Sequence, residues 1–148
     1  MESRISISDL EPSAIEAMRG LEQYLGSVEL NASLCALIKI RASQINGCAY
    51  CIQLHTEKAM ARGETEQRIY ALSAWQESPL FTEEERAVLS LTDEVTMISD
   101  HGLSKEAYDR GVQSLGGHGL AQCIVQKISI NAWNRIALST KMRRDYQI

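Results

Sequence analysis

The stretch Ser43-Gln44-Ile45-Asn46-Gly47-Cys48-Ala49-Tyr50-Cys51-Ile52-Gln53-Leu54-His55 decides how the chain reads. Asn46-Gly47 is a turn-type pair, suited to ending one helix and opening the next. On a helix running from Cys48 each residue turns about 100°, which sets Cys51 about 60° from Cys48 and His55 about 40° back toward it. Two thiols and an imidazole then share one narrow face. Cys48 and Cys51 fall in the first turn, where unpaired N–H groups and the positive end of the helix dipole favour thiolate over thiol. This is an arrangement for redox chemistry at sulfur.

Outward from this motif the chain reads as helices throughout. Toward the amino terminus, Asn31 is a candidate N-cap for a helix with Leu34, Leu37, Ile38 and Ile45 on its apolar face. Before it, Pro12-Ser13 opens a helix carrying Ile15, Met18, Leu21 and Leu25, closed by Gly26. The motif helix runs from Cys48 to about Ala61, with Gly63 suited to its end. The spacing then predicts a helix from Thr65 to about Gln76 with Ile69, Leu72 and Trp75 on one side, broken at Ser78-Pro79. Thr82-Glu83-Glu84-Glu85 is a capping box for a helix reaching about Ile98 and ending at His101-Gly102. Ser104 caps a short helix to about Leu115, and Gly116-Gly117 separates it from a last helix, Leu120 to about Met142.

The chain has 148 residues, enough for a single domain with its own core. Hydrophobic residues make up 45% and charged ones 23%, an ordinary globular balance, and the two prolines leave long segments free to be helical. The expected class is all-α, one domain over residues 1–148 with about six to seven helices. A net charge of −4 without a basic block gives no support for nucleic-acid binding. The opening Met1-Glu2-Ser3-Arg4-Ile5-Ser6 lacks a signal-peptide core and no run approaches the length of a membrane span, so a cytoplasmic protein without a membrane partner is expected. Between Gly111 and Asn134 the only charged residue is Lys127, which implies a helix buried on more than one side, partly by another subunit.

Three chemistries compete for Cys48, Cys51 and His55. In a thiol-redox site one cysteine attacks as thiolate, the other resolves the product as a disulfide, and His55 handles the proton. In a zinc site the three would be ligands, but no second CxxC or HxxxH supplies a fourth. In a structural, oligomeric protein they would merely pack. Haem attachment fails because Ile52, not histidine, follows Cys51. Cys51 is the nearer thiol to His55 in projection, although in other CxxC sites the first cysteine attacks. Cys35 and Cys123 lie in apolar patterns and read as inert packing residues. His101 and His118 have structural explanations at helix ends, and Trp75 and Trp133 read as core or interface residues. Lys39 or Arg41 could lend positive potential to a thiolate, and Tyr50 could donate a hydrogen bond or pack.

The run from Ile40 through Cys51, followed by His55, resembles the alkylhydroperoxidase AhpD-like branch of the carboxymuconolactone decarboxylase family. So do the segments from Ala61 to Arg68, Ala74 to Thr82 and Ile130 to Arg135. The resemblance implies an all-α homo-oligomer, trimeric or hexameric, that reduces hydroperoxides and protects against oxidative stress. It implies that Cys51 attacks the peroxide, Cys48 resolves, and His55 belongs to a proton relay. It further implies a dithiol reductant (thioredoxin-like or a lipoyl protein) and no need for metal, haem or flavin. Family members without the CxxC are decarboxylase-like, a rival small-molecule activity. One departure stands out: the relay glutamate expected twelve residues before Cys48 is Ala36 here. Tyr50 likewise stands where some members have histidine. Loss of a general base costs about 10²–10⁴-fold, unless a carboxylate from elsewhere substitutes.

Overall fold

In a computed structural model describing residues 4–144, α3 (Ala32–Asn46) is the central element and packs against α4 (Ala49–Ala61), α6 (Glu83–Thr96) and α8 (Lys105–Thr140). Leu37, Ile38, Ile40 and Ala42 have no exposed surface, so α3 is apolar around most of its circumference rather than along one stripe. Its start is fixed by Asn31, whose Oδ1 accepts the Ser33 N–H at 2.7 Å. Its end is fixed by Gly47, whose φ of 70° only a residue without Cβ takes readily. The chain reverses there and α4 starts within two residues.

Ahead of this hairpin lie α1 (Ile7–Leu10), a single turn, and α2 (Pro12–Ser27), which begins with proline at its first position and packs on α8. After it, α5 (Glu66–Ala71) is capped by Thr65, and α7 (Ile98–His101) is one turn between α6 and α8. The described residues thus form an all-helical array with no strand, matching the expected class. None of these helices is long and apolar enough to cross a membrane.

Helix ends depart from the sequence reading in two places. The helix expected to Gln76 stops at Ala71 and tightens into a 3₁₀ segment, Leu72–Glu77, with Ala74 outside helical geometry. Arg86 holds the freed carbonyls of Trp75, Gln76 and Ser78 at 3.2, 2.7 and 3.0 Å, while Trp75 donates its Nε1–H to Asp93 at 3.1 Å. The helix expected to reach Ile98 ends at Thr96. The break expected at Gly116-Gly117 is present as a kink: Gly116 takes φ 69° and ψ 175°, so α8 is two helical stretches joined there without an intervening loop.

The capping box is present in both halves: the Glu85 N–H donates to Thr82 Oγ1 at 3.2 Å and the Thr82 N–H to Glu85 Oε2 at 2.8 Å. Arg68 donates to the same carboxylate at 2.6 Å and to Glu64 at 2.8 Å, clamping α5 to α6.

Candidate active site

The turn carrying the cysteines is braced from behind by α8. The Cys48 N–H donates to Ser43 O at 3.0 Å and the Gly47 N–H to Gln44 O at 3.2 Å. Asn46 donates from Nδ2 to Asn131 Oδ1 at 3.0 Å and Asn134 Oδ1 at 2.9 Å. Asn134, fully buried, returns a hydrogen bond to Ser43 Oγ at 3.0 Å, and Ser43 donates on to Lys39 O at 2.6 Å. A buried amide with no partner would cost about 1–3 kcal/mol, so this chain of satisfied groups holds the turn to one geometry.

Cys48 is the N-cap of α4 rather than a residue of its first turn, and its Sγ accepts the Cys51 N–H at 3.3 Å. Cys51 is the third helical residue. The two sulfurs form a disulfide with a Cα–Cα separation of 5.3 Å, so the structure is the oxidised form. Both residues are nearly buried, 1% exposed at Cys48 and 3% at Cys51, and pack against Ala137 with Tyr50 and Leu138 alongside.

The sulfurs face different spaces. Cys51 lines a cavity of about 250 Å³ together with His55. Its apolar wall is formed by Leu54, Ile130, Trp133 and Met142, and its polar groups are Tyr50, Lys39, Lys58 and Glu22. Cys48 lines a separate, shallower hollow with Gly47, Leu138 and Lys141. Burial, then the Lys39 and Lys58 charges, push the His55 pKa from 6.5 down to about 4. At neutral pH the imidazole is therefore uncharged, and its surroundings disfavour the protonated form. The helix N–H, in contrast, serves Cys48: it would stabilise a thiolate there once the disulfide opens.

The expected trio is thus brought together, and several other candidates are not. Arg41 is committed to Asp93, at 2.7 and 3.2 Å, and Lys39 alone of the two cations reaches the cavity. His101 ends α7 and His118 is exposed on α8, away from the sulfurs. Among the described residues no three His, Cys, Asp or Glu side chains group closely enough to hold a metal ion. Ala36 lines a different cavity, of about 400 Å³, with Ala59 and Arg68. Glu22 and Trp133 also line the Cys51 cavity, and the sequence does not point to either as a site residue. Glu22 sits beside Leu21 on a helix remote in sequence, and no spacing rule links it to Cys51.

Cys35 and Cys123 are not equivalent. Cys35 is half-buried, and burial pushes its thiol pKa up. Cys123 has no exposed surface, but its Sγ lies 2.6 Å from Lys127 Nζ, and that lysine is itself fully buried. Burial pushes the Lys127 pKa down, partly offset by Cys123.

Fold and site together define an all-helical protein with a disulfide-forming CxxC at a helix start and a neutral histidine beside it. A sequence profile described as "Carboxymuconolactone decarboxylase family" matches residues 12–94. The chain belongs to that family. It is 37% identical over 139 residues to the uncharacterized protein YdfG of Bacillus subtilis, covering 94% of this chain and 95% of that one. A crystal structure from Agrobacterium tumefaciens, a protein of unknown function ascribed to antioxidant defence of the AhpD type, is 36% identical. It superposes with a TM-score of 0.95 over 99% of this chain and 100% of that one. A variant of the debrominase Bmp8 in complex with 2,3,4-tribromopyrrole shares the fold, with a TM-score of 0.82 and 19% identity over 93% of this chain and 73% of that one.

Proposed function

We propose that this protein is a thiol peroxidase of the AhpD type, reducing organic hydroperoxides through Cys51 and Cys48. The observation that carries the reading is the asymmetry of the disulfide: Cys51 alone opens onto the apolar cavity, beside an uncharged imidazole. In the reduced form Cys51 gives its proton to His55 and attacks the terminal peroxide oxygen. An S–O bond forms, the O–O bond breaks, and the alkoxide takes the proton from His55 and leaves as alcohol. Cys48, its sulfur supported by the Cys51 N–H, attacks the sulfenic acid; the disulfide forms and water leaves. A dithiol partner, thioredoxin-like or lipoyl-bearing, then reduces the disulfide and is itself oxidised. The scheme uses no metal, haem or flavin.

The decisive experiment counts free thiols on the reduced protein before and after one equivalent of cumene hydroperoxide. Loss of two thiols per chain is expected; no loss rejects the reading. In the Cys48→Ser variant, a sulfenic-acid trap should label Cys51. A label on Cys48 in Cys51→Ser, at the wild-type rate, would reverse the roles. A decarboxylase-like activity would survive Cys51→Ser, and a zinc protein would carry about one zinc per chain after reduction.

The protein acts in the cytoplasm as a homo-oligomer in this reading. Met97, Ile98 and Ile128 are large apolar side chains left exposed, at 39%, 54% and 53%, where α6, α7 and the charge-poor part of α8 meet. Light scattering should give a mass of three or six chains. A monomer would remove the oligomeric part of the proposal and leave the chemistry standing.

A further inference from the structure

His55 presents an electrostatic problem that the trio alone does not solve. Once it accepts the Cys51 proton it becomes an imidazolium in a largely apolar cavity. The charged and titratable groups that line the cavity with it are Lys39 from α3, Tyr50 and Lys58 from its own helix, and Glu22 from α2. With the imidazole neutral, only the Lys39 and Lys58 charges act on its pKa. Among the described lining residues α8 contributes only apolar or aromatic side chains, Ile130, Trp133 and Ala137. Two of the four neighbours are cations that repel an imidazolium, and in a site of low dielectric that repulsion raises the barrier to proton transfer. Ala36 contributes no countercharge.

Glu22 is the one aspartate or glutamate among the described residues lining the cavity. It is not an adventitious surface acid. Its Oε1 accepts a hydrogen bond from the Ser129 hydroxyl, and Ser129 has no exposed surface. A buried hydroxyl reaching across from α8 thus fixes a carboxylate of α2 at the rim of the Cys51 cavity.

We propose that Glu22 is the relay carboxylate of this site: it balances the imidazolium that His55 becomes, and so replaces across space the glutamate that Ala36 cannot supply. It acts through His55 and is a positioning residue rather than a catalytic one. No new bond to substrate is involved. The proton leaves Cys51 Sγ for the imidazole, the electron pair stays on sulfur, and the Glu22 charge holds the resulting ion pair until the alkoxide takes the proton. The consequence for peroxide turnover rests on the function proposed above; the thiol-to-imidazole step does not.

The test uses the full chain, reduced, with two probes. Glu22→Gln keeps the shape and an acceptor for Ser129 while removing the charge. Alkylation of Cys51 by iodoacetamide, located by peptide mass spectrometry in a Cys48→Ser background, should move to higher pH and slow about tenfold or more at neutral pH. Oxidation by cumene hydroperoxide, with Cys48 present, should slow by a similar factor or more. Glu22→Asp should restore most of the pH profile, and Glu16→Gln, an exposed acid on the same helix, should change neither rate. Unchanged profiles in Glu22→Gln overturn the proposal. Equal impairment in Glu22→Gln and Glu22→Asp also overturns it, because the residue would then matter only for its bond to Ser129. A wild-type protein inert to hydroperoxide, with the alkylation profile still shifted in Glu22→Gln, would leave Glu22 in its role and sink the peroxidase reading.

Discussion

The molecule holds two sulfur centres, one where α4 packs on α8 and one where α8 packs on α3, and they are opposites. At the first, Cys51 faces a cavity with a neutral imidazole and a carboxylate in it. At the second, Cys123 is pressed against Lys127, one helical turn along the same helix, and neither has exposed surface. Each centre pairs a thiol with a nitrogen base, so the pairing alone does not make a reactive cysteine. The difference is space for a second reactant, and a path by which a proton and a leaving group can depart.

Exchanging the roles of the two centres should therefore fail, and this is the largest effect expected. Cys51→Ser should abolish measurable hydroperoxide turnover, while Cys123→Ser should keep it in whatever fraction of the protein folds. Stopped-flow rates normalised to folded protein separate the two. Turnover lost in Cys123→Ser with the fold intact would mean that the sealed centre belongs to the chemistry. Next in size, His55→Gln should slow oxidation of Cys51 by about 10²–10⁴-fold, the usual contribution of a general base.

How much of this contrast is visible in the sequence depends on distance along the chain. Cys48, Cys51 and His55 are local: a single turn and a helical repeat bring them together, and the spacing discloses it. The caps at Asn31, Thr82 and Ser104 are local too, and stand where expected. Glu22 and Ser129 are 107 positions apart, and only packing of α2 on α8 joins them. Lys127 shows the other limit. Its isolation in a charge-poor stretch signals burial of the helix, but ordinary reasoning keeps the charged side chain itself in water. That it lies inside, held by a thiol on the same helix, is a tertiary fact with no periodic signature. The 3₁₀ ending at Leu72–Glu77 is likewise imposed from outside, by Arg86 and Asp93.

The two bases should also respond to pH in different windows. His55 has a pKa near 4 in the oxidised fold against an ordinary 6.5, so as pH falls below 6.5 the unfolded chain takes a proton that the folded one refuses. Stability should fall between about pH 6.5 and 4, by at most on the order of 3 kcal/mol since each pKa unit is worth about 1.4 kcal/mol. Denaturant melts of wild type and His55→Gln should diverge in that window, and parallel curves would contradict the assignment. The Lys127 pKa is also depressed by burial, so the same linkage makes stability rise as pH climbs toward the ordinary lysine value of 10.5.

The smallest effects lie at the sealed centre, and there the sign matters more than the size. Cys123→Ala leaves the Lys127 amine buried with one distant carbonyl at 3.4 Å for company, and an unsatisfied buried donor costs about 1–3 kcal/mol. Lys127→Met keeps an unbranched side chain of similar length, removes the group that burial penalises, and leaves Cys123 as a small apolar residue. That change should be neutral or stabilising by about 1 kcal/mol, since apolar replacement of buried charge often is. It should also abolish the alkaline rise in stability while leaving peroxide turnover unchanged. If Lys127→Met instead destabilises by as much as Cys123→Ala, the lysine is a charged structural partner, and the two sulfur centres are more alike in electrostatics than their burial suggests.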